Sequence, residues 1–235
     1  MKIAILGTSS SPILSSVLMA LHRNKVNIDY IILDQQDYTE KQNVIWQERT
    51  AGRFPFVPLY EFEEYKIPTY FVKSHSSDVM LELIQSLNIS LLVNGDTPRI
   101  LPLKIVNAPA IGVLNVHPGV LPYYRGCTCV EWAIYNDDEI GNTAHLMNEK
   151  IDSGQIIKIE TYRFSKSDRY VDIRTKVYQA GFNLLASVLK EMQEKGPPIT
   201  TEIPQEGSKY YKVIDSEKMN GVMRKLKEGQ YKYQF

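Results

Sequence analysis

Three side chains carry the chemistry open to this chain: the amide of Asn115, the imidazole of His117 and the carboxylate of Asp152. Asn115 and His117 stand two positions apart, so on a strand they face the same side. Pro118 and Gly119 then stop the ladder and turn the chain. His117 is thereby left at a strand's C-terminal end, where open α/β sheets place their ligands. Asp152 precedes Ser153-Gly154 at a second strand-to-turn junction. An amide, an imidazole and a carboxylate brought together suit acyl transfer. The amide donates to an oxyanion, the imidazole handles a proton, and the carboxylate orients or polarises the other two. The imidazole titrates near pH 6.5 in its reference state, about where an enzyme works; it can equally serve as an oxyanion donor. Singly, each residue has a plainer reading, namely a strand-end amide, a core-edge histidine and an Asx-turn. The three in this order point to a site.

The elements that position them follow from pattern. Residues 2–6 are an apolar run ending at Gly7, hence a first strand, and Ser-Pro at 11–12 starts a helix over 13–22. That βα turn carries a single glycine and no nucleotide-loop motif. It is an ordinary connection, or, at the helix N-terminus, an anion-facing one in which Ser9 touches substrate. Further strands are expected at 30–34, 68–72, 89–93, 111–116, 143–147 and 155–162. Helices are expected at 39–50, from Ser76 or Ser77 to Leu87, at 128–135 and along one face from Asp168 to Met192. Strands alternating with helices predict an α/β fold with a doubly wound, mostly parallel sheet. Residues 1–195 form the catalytic domain in this reading. Residues 196–235 form an extension, with a hairpin at 199–213 and a short amphipathic helix around 219–226 that offers a dimerisation element.

The two stretches resemble the signature of the folate-dependent formyltransferases that use 10-formyltetrahydrofolate. The pattern Asn-x-His-x-x-x-Leu-Pro-x-Tyr-x-Gly is met by Asn115, His117, Leu121, Pro122, Tyr124 and Gly126. A strand His and Asp-x-Gly are met by His145, Asp152 and Gly154. The likeness runs from about Ile3 to Ile159 and implies a formyltransferase-like Rossmann variant. It makes Asn115, His117 and Asp152 catalytic and gives His145 a supporting place. Arg99, Ile100 and Leu101, mostly through backbone groups, would line one side of the pterin pocket, with Glu149, Ile151 and Asp152 opposite. Gly119 stands where the family has a serine, a small-for-small exchange expected to leave the chemistry intact. No metal is implied. Within the family, the tail resembles the nucleotide-sugar N-formyltransferases, which act on a 3- or 4-amino-dideoxy sugar carried on dTDP for O-antigen and lipopolysaccharide biosynthesis. Methionyl-tRNA and glycinamide ribonucleotide are the competing acceptors. A folate-dependent hydrolase and a non-catalytic folate- or nucleotide-binding module are the other readings.

Composition bounds the rest. With 235 residues there is room for one α/β domain with a substantial core and a small appendage. Twenty-seven basic residues balance 27 acidic ones, so no general field draws a nucleic acid. No stretch approaches the ~20 apolar residues that span a bilayer, and MKIAILG reads as a first strand rather than a signal peptide. Cys127 and Cys129 are too close for an unstrained disulfide; both are expected as reduced thiols in a cytoplasmic homodimer. Arg125 either pairs with a substrate phosphate or braces its loop through a carboxylate. Tyr123, Tyr124 and Trp132 either stack on base or sugar or belong to the core.

Overall fold

The computed structural model describes residues 1–202 and 206–235. In chain order it contains β1 (Ile3–Thr8), α1 (Pro12–Arg23), β2 (Tyr30–Asp34), α2 (Glu40–Thr50), β3 (Thr69–Val72), α3 (Asp78–Ser86), β4 (Leu91–Asn94), α4 (Leu103–Val106) and β5 (Gly112–His117). Then follow β6 (Arg125–Gly126), α5 (Cys129–Asn136), β7 (Ile140–Leu146), β8 (Ile156–Tyr162), α6 (Tyr170–Lys195), β9 (Tyr210–Tyr211) and α7 (Ser216–Lys227). The main sheet runs β3-β2-β1-β4-β5-β7-β8. It is parallel through β5, and β7 and β8 close it antiparallel. This is the doubly wound, mostly parallel α/β architecture expected from the alternation of strands and helices. The strand order reverses direction between β1 and β4, which opens a crevice at their C-terminal ends.

Local chemistry explains the element starts. The Ser11 hydroxyl accepts from the backbone N–H groups of Ile13 and Leu14, and Pro12 opens α1, where a missing N–H costs nothing. Thr39 and Gln42 form a reciprocal capping box at α2. Both faces of the sheet are covered. Leu14, Val17, Leu18 and Leu21 of α1 join Leu185, Val188 and Leu189 of α6 on one side. Met80 and Ile84 of α3 join Ile105 and Val106 of α4 on the other. A third cluster unites α5 and α7 through Val130, Ile134, Val222 and Leu226.

The stretch 199–213 is not a hairpin. Thr201 bridges antiparallel to Ile156, whereas β9 pairs in parallel with β6; residues 203–205 of the expected hairpin lie outside the described residues. Non-local packing decides this. Tyr211 stacks on Tyr124 with ring centroids 5.0 Å apart, which draws the segment onto the loop that follows His117. Among the described residues, no helix is long and apolar enough to cross a membrane.

Candidate active site

Asn115 and His117 lie on β5, and His145 lies opposite Asn115 on β7. Adjacent strands thus put an amide and an imidazole in contact: Asn115 Nδ2 is 3.1 Å from His145 Nε2. The third strand is β4. Its last residue, Asn94, follows the Val93–Leu114 pair and donates from Nδ2 to Asn115 Oδ1 at 2.9 Å. His145 is buried, and desolvation of the charged ring pushes its pKa down to about 4. At neutral pH it is therefore uncharged. Its Nδ1 lies 3.2 Å from the carbonyl of Leu146, so Nδ1 carries the hydrogen and Nε2 accepts from Asn115. Donors and acceptors run in one direction, from Asn94 through Asn115 and His145 to Leu146. Asn115 is pinned at both ends, and one amide hydrogen remains outside the chain.

Asp152 reaches the same place from the turn after β7. Its Oδ2 is 3.3 Å from His117 Nδ1 and its Oδ1 is 3.7 Å from His145 Nε2. The turn is built for this. Asp152 adopts φ 49°, Ser153 and Asn148 hold each other at 2.7 Å, and the Gly126 N–H donates to Asp152 Oδ2 at 2.9 Å. At Gly154, a Cβ would sit 1.6 Å from the Leu146 carbonyl oxygen, so only glycine lets the turn close on the strand.

His117 departs from its expected freedom. Its Nε2 donates to the Tyr124 carbonyl at 2.7 Å, which leaves Nδ1 facing Asp152. The edge of the imidazole that the loop leaves free is thus turned to that carboxylate. Gly119 permits the Tyr124 contact. A Cβ there would lie 2.5 Å from Tyr124 O and 2.6 Å from His117 Nε2, so the exchange with serine is not neutral for this loop.

A cavity of about 280 Å³ opens beside Asn115, walled by α1, α2 and α6. Asn94, Asp96, Asn142, Arg49 and Arg174 give it a polar lining among apolar walls. Sequence pattern missed all five. A polar residue at the end of β4, one position past an all-apolar run, was the available signal for Asn94.

Several expected contacts fall elsewhere. Ser9 is exposed and its hydroxyl is 3.4 Å from Asp37; it is Ser11 that donates to the cavity's Asp96, at 2.6 Å. Arg125 meets neither a phosphate site nor a carboxylate: Nε and Nη2 donate to the Ile151 carbonyl, and Nη1 donates to Ser208. Tyr124 is buried, with its hydroxyl on Asp138. Trp132 packs against Tyr211 and donates Nε1 to the Lys212 carbonyl at 2.8 Å. Both belong to the tail cluster because their rings find aromatic partners there. Tyr123, 55% exposed, lines a separate groove with Tyr233. Arg99 forms a bidentate pair with buried Asp34 at 2.6 and 3.0 Å, which removes its guanidinium from ligand contact. Ile100 is 77% exposed, Leu101 is buried, and Ile151 is 43% exposed. Glu149 is exposed on the same loop as Ile151. Both cysteines are free thiols, Cys127 exposed and Cys129 buried.

The comparisons with known proteins agree with this architecture. The formyl transferase family model matches residues 1–189. A methionyl-tRNA formyltransferase of Desulforamulus reducens is 33% identical over 143 residues, covering 60% of this chain and 44% of that relative. The chain spans between 33% and 44% of the length of the curated relatives it matches. Among solved structures, a sugar N-formyltransferase from Shewanella aligns with TM-score 0.62 at 20% identity, covering 91% of this chain and 77% of that one. A 4-N formyltransferase from Francisella tularensis aligns with TM-score 0.61 at 23% identity, covering 91% and 76%. At such identities the structural likeness speaks for the fold alone. The family match takes in Asn115, His117, His145 and Asp152, and this chain belongs to the formyl transferase family.

Proposed function

We propose that the chain transfers a formyl group from 10-formyltetrahydrofolate to the primary amine of a dTDP-linked 3- or 4-amino-dideoxy sugar, in the service of O-antigen and lipopolysaccharide biosynthesis. The family implies a folate-type formyl donor. The donor supplies a formyl carbon on a nitrogen leaving group. The flat, largely apolar pterin suits the exposed Ile100 and Ile151, with Arg99 withdrawn onto Asp34.

One observation carries the reading: Asn115, fixed by Asn94 and His145, forms the wall of a polar cavity. Its remaining amide hydrogen donates to the oxygen on which negative charge develops, and its orientation is set before reaction. Asp152 takes the proton of the attacking amine, directly or through a water, and that proton passes to the folate nitrogen as its bond to the formyl carbon breaks. His117 faces that carboxylate through Nδ1 and shares the proton with it. Uncharged His145 holds Asn115 and does not compete for the proton. The polar lining by Asn94, Asp96 and Asn142 suits a hydroxylated ring.

Methionyl-tRNA is the second reading, favoured by the 33% identity to methionyl-tRNA formyltransferase. The test is turnover with 10-formyltetrahydrofolate and a panel of dTDP-4-amino and dTDP-3-amino sugars, glycinamide ribonucleotide and initiator Met-tRNA. Tetrahydrofolate release is followed by absorbance and the product by mass. One formyl group gained by a dTDP-sugar is the expected result. Turnover with Met-tRNA alone keeps the mechanism and overturns the acceptor. Asn115→Ala should lower kcat by about 10²–10³, the usual loss for one oxyanion donor.

A further inference from the structure

We propose that the cavity beside Asn115 reads an anionic oxygen group, a carboxylate or a phosphate, carried by the acceptor near its amine, through Arg49 and Arg174. The inference rests on the reading of this site as one that takes an amine acceptor.

Arg174 lies on α6 with 3% exposure, and both guanidinium residues line the cavity that Asn115 walls. Its only hydrogen bond among the described residues runs from Nη2 to the Tyr178 hydroxyl at 2.5 Å. Its Nε has no partner. Its Nη1 stands 3.6 Å from Glu131 Oε2, too long for a hydrogen bond. The same carboxylate faces Arg49, whose Nε is 3.9 Å from Oε1, while Tyr170 donates to Oε1 at 2.6 Å. Glu131 Oε2 likewise has no hydrogen-bond partner.

One buried carboxylate thus faces two guanidinium groups, that of buried Arg174 and that of Arg49, whose side chain is 27% exposed, so the cluster carries a net positive charge in which the Arg174 donors are cut off from water. Burying such a charge, with N–H donors unmet, is costly unless something pairs with it. The carboxylate on the cavity wall is Asp96. Ser11 donates to it at 2.6 Å, and burial raises its pKa towards the uncharged form. It therefore offers the guanidinium groups little compensation. An anionic oxygen entering the cavity supplies the missing acceptor and the missing charge together. The space is small: about 280 Å³ holds the reacting end of a ligand, not a whole nucleotide. The anionic group must therefore lie within about a sugar ring's width of the amine.

The test measures binding and needs no turnover. Dissociation constants at low ionic strength are taken by calorimetry for glucosaminuronic acid, glucosamine 6-phosphate and neutral glucosamine. Wild type should favour at least one of the two anionic amines over glucosamine by about tenfold, as a charge-assisted hydrogen bond allows. Whether the acid or the phosphate gains more identifies the source of the oxygen. Arg49→Met should bring the preference close to unity. Removing Arg174 alone orphans Glu131 in the core, so the complementary variant is Glu131→Gln. It keeps an acceptor for Tyr170 and adds net positive charge, so the anion preference should rise above that of wild type, a gain that a merely structural cluster does not produce. Equal binding of all three amines by wild type, or a preference untouched in both variants, overturns the proposal. Loss of formyl transfer with every amine, with the anion preference intact, would instead overturn the catalytic reading and leave this site standing.

Discussion

Asn94 offers a sharp test of how the site is held. The variant Asn94→Asp keeps the side-chain oxygen that accepts the backbone N–H groups of Asp96 and Thr97, at 3.2 and 2.9 Å, so the turn after β4 survives. It removes the Nδ2 donor that meets Asn115 Oδ1 at 2.9 Å. A neutral hydrogen bond contributes about 0.5–1.5 kcal/mol, equal to a rate factor of roughly 2 to 13 if all of it serves orientation. His145 still accepts from Asn115 at 3.1 Å and opposes rotation of the amide. The loss should therefore stay below the ~2.7–4 kcal/mol of deleting the oxyanion donor itself. Because the bond orients a group that acts on developing charge, kcat should fall while both KM values hold. The carboxylate form sets two negative oxygens against each other; the protonated form restores a donor, O–H to Asn115 Oδ1. Tetrahydrofolate release at saturating substrates, measured from pH 8 down to pH 5, should show the variant regaining activity relative to wild type as pH falls. Wild-type kcat at pH 8, or a loss confined to KM, would refute the idea that Asn94 positions Asn115.

Two further outcomes follow from the same geometry. Gly119→Ala places a Cβ 2.6 Å from His117 Nε2 and 2.5 Å from its acceptor, Tyr124 O. Displacement of the imidazole by about 1 Å should cost around 10²-fold in kcat with the far-UV circular dichroism unchanged; full activity would show that His117 does not need this contact. His145 is held neutral by burial with a pKa of about 4, whereas in the unfolded chain it takes a proton near 6.5. As pH falls from 6.5 to 4 the unfolded state binds more protons, so stability is lost across that window and this contribution is flat above it. The urea midpoint of wild type should drop through the window more steeply than that of His145→Gln, and parallel curves would exclude a neutral buried His145.

The architecture was legible because its signals are local. The apolar runs at β1, β4 and β5, the Ser11-Pro12 helix start and the long apolar face of α6 each announce an element from within a few residues. Asn115, His117 and Asp152 were legible because the turns beside them are written in Pro and Gly. The readings left open or missed share a physical cause: each depended on a partner distant in sequence. Arg125 was left between a phosphate ligand and a brace for its loop; it braces the loop, through the Ile151 carbonyl and Ser208 rather than through a carboxylate. Tyr124 and Trp132 were left between stacking on a ligand and packing in the core; their rings meet Tyr211. Asn94, Arg49 and Arg174 went unnoticed because no short motif marks a side chain whose meaning comes from β4, α2 and α6 converging on one cavity.

That convergence divides the site into two parts with different physical origins. The backbone loop after β5 sets the proton-handling part. The Tyr124 carbonyl holds His117, the Gly126 N–H holds Asp152, and Arg125 ties down the Ile151 carbonyl just ahead of Asp152. The same loop is pinned from the other side, where Arg125 and Gly126 pair with β9 and Tyr124 stacks on Tyr211. The tail is thus coupled to the relative placement of His117 and Asp152, although it contributes neither. The acceptor-facing part rests instead on side chains of α2 and α6, remote from that loop in sequence. Substitution at Arg49 or Arg174 can alter what enters the cavity while the Asn94–Asn115–His145 chain stays intact. On the proposed reading, one strand-end apparatus for moving a formyl group serves different amines, and acceptor choice is to be sought on the helices rather than in the strand-end motif.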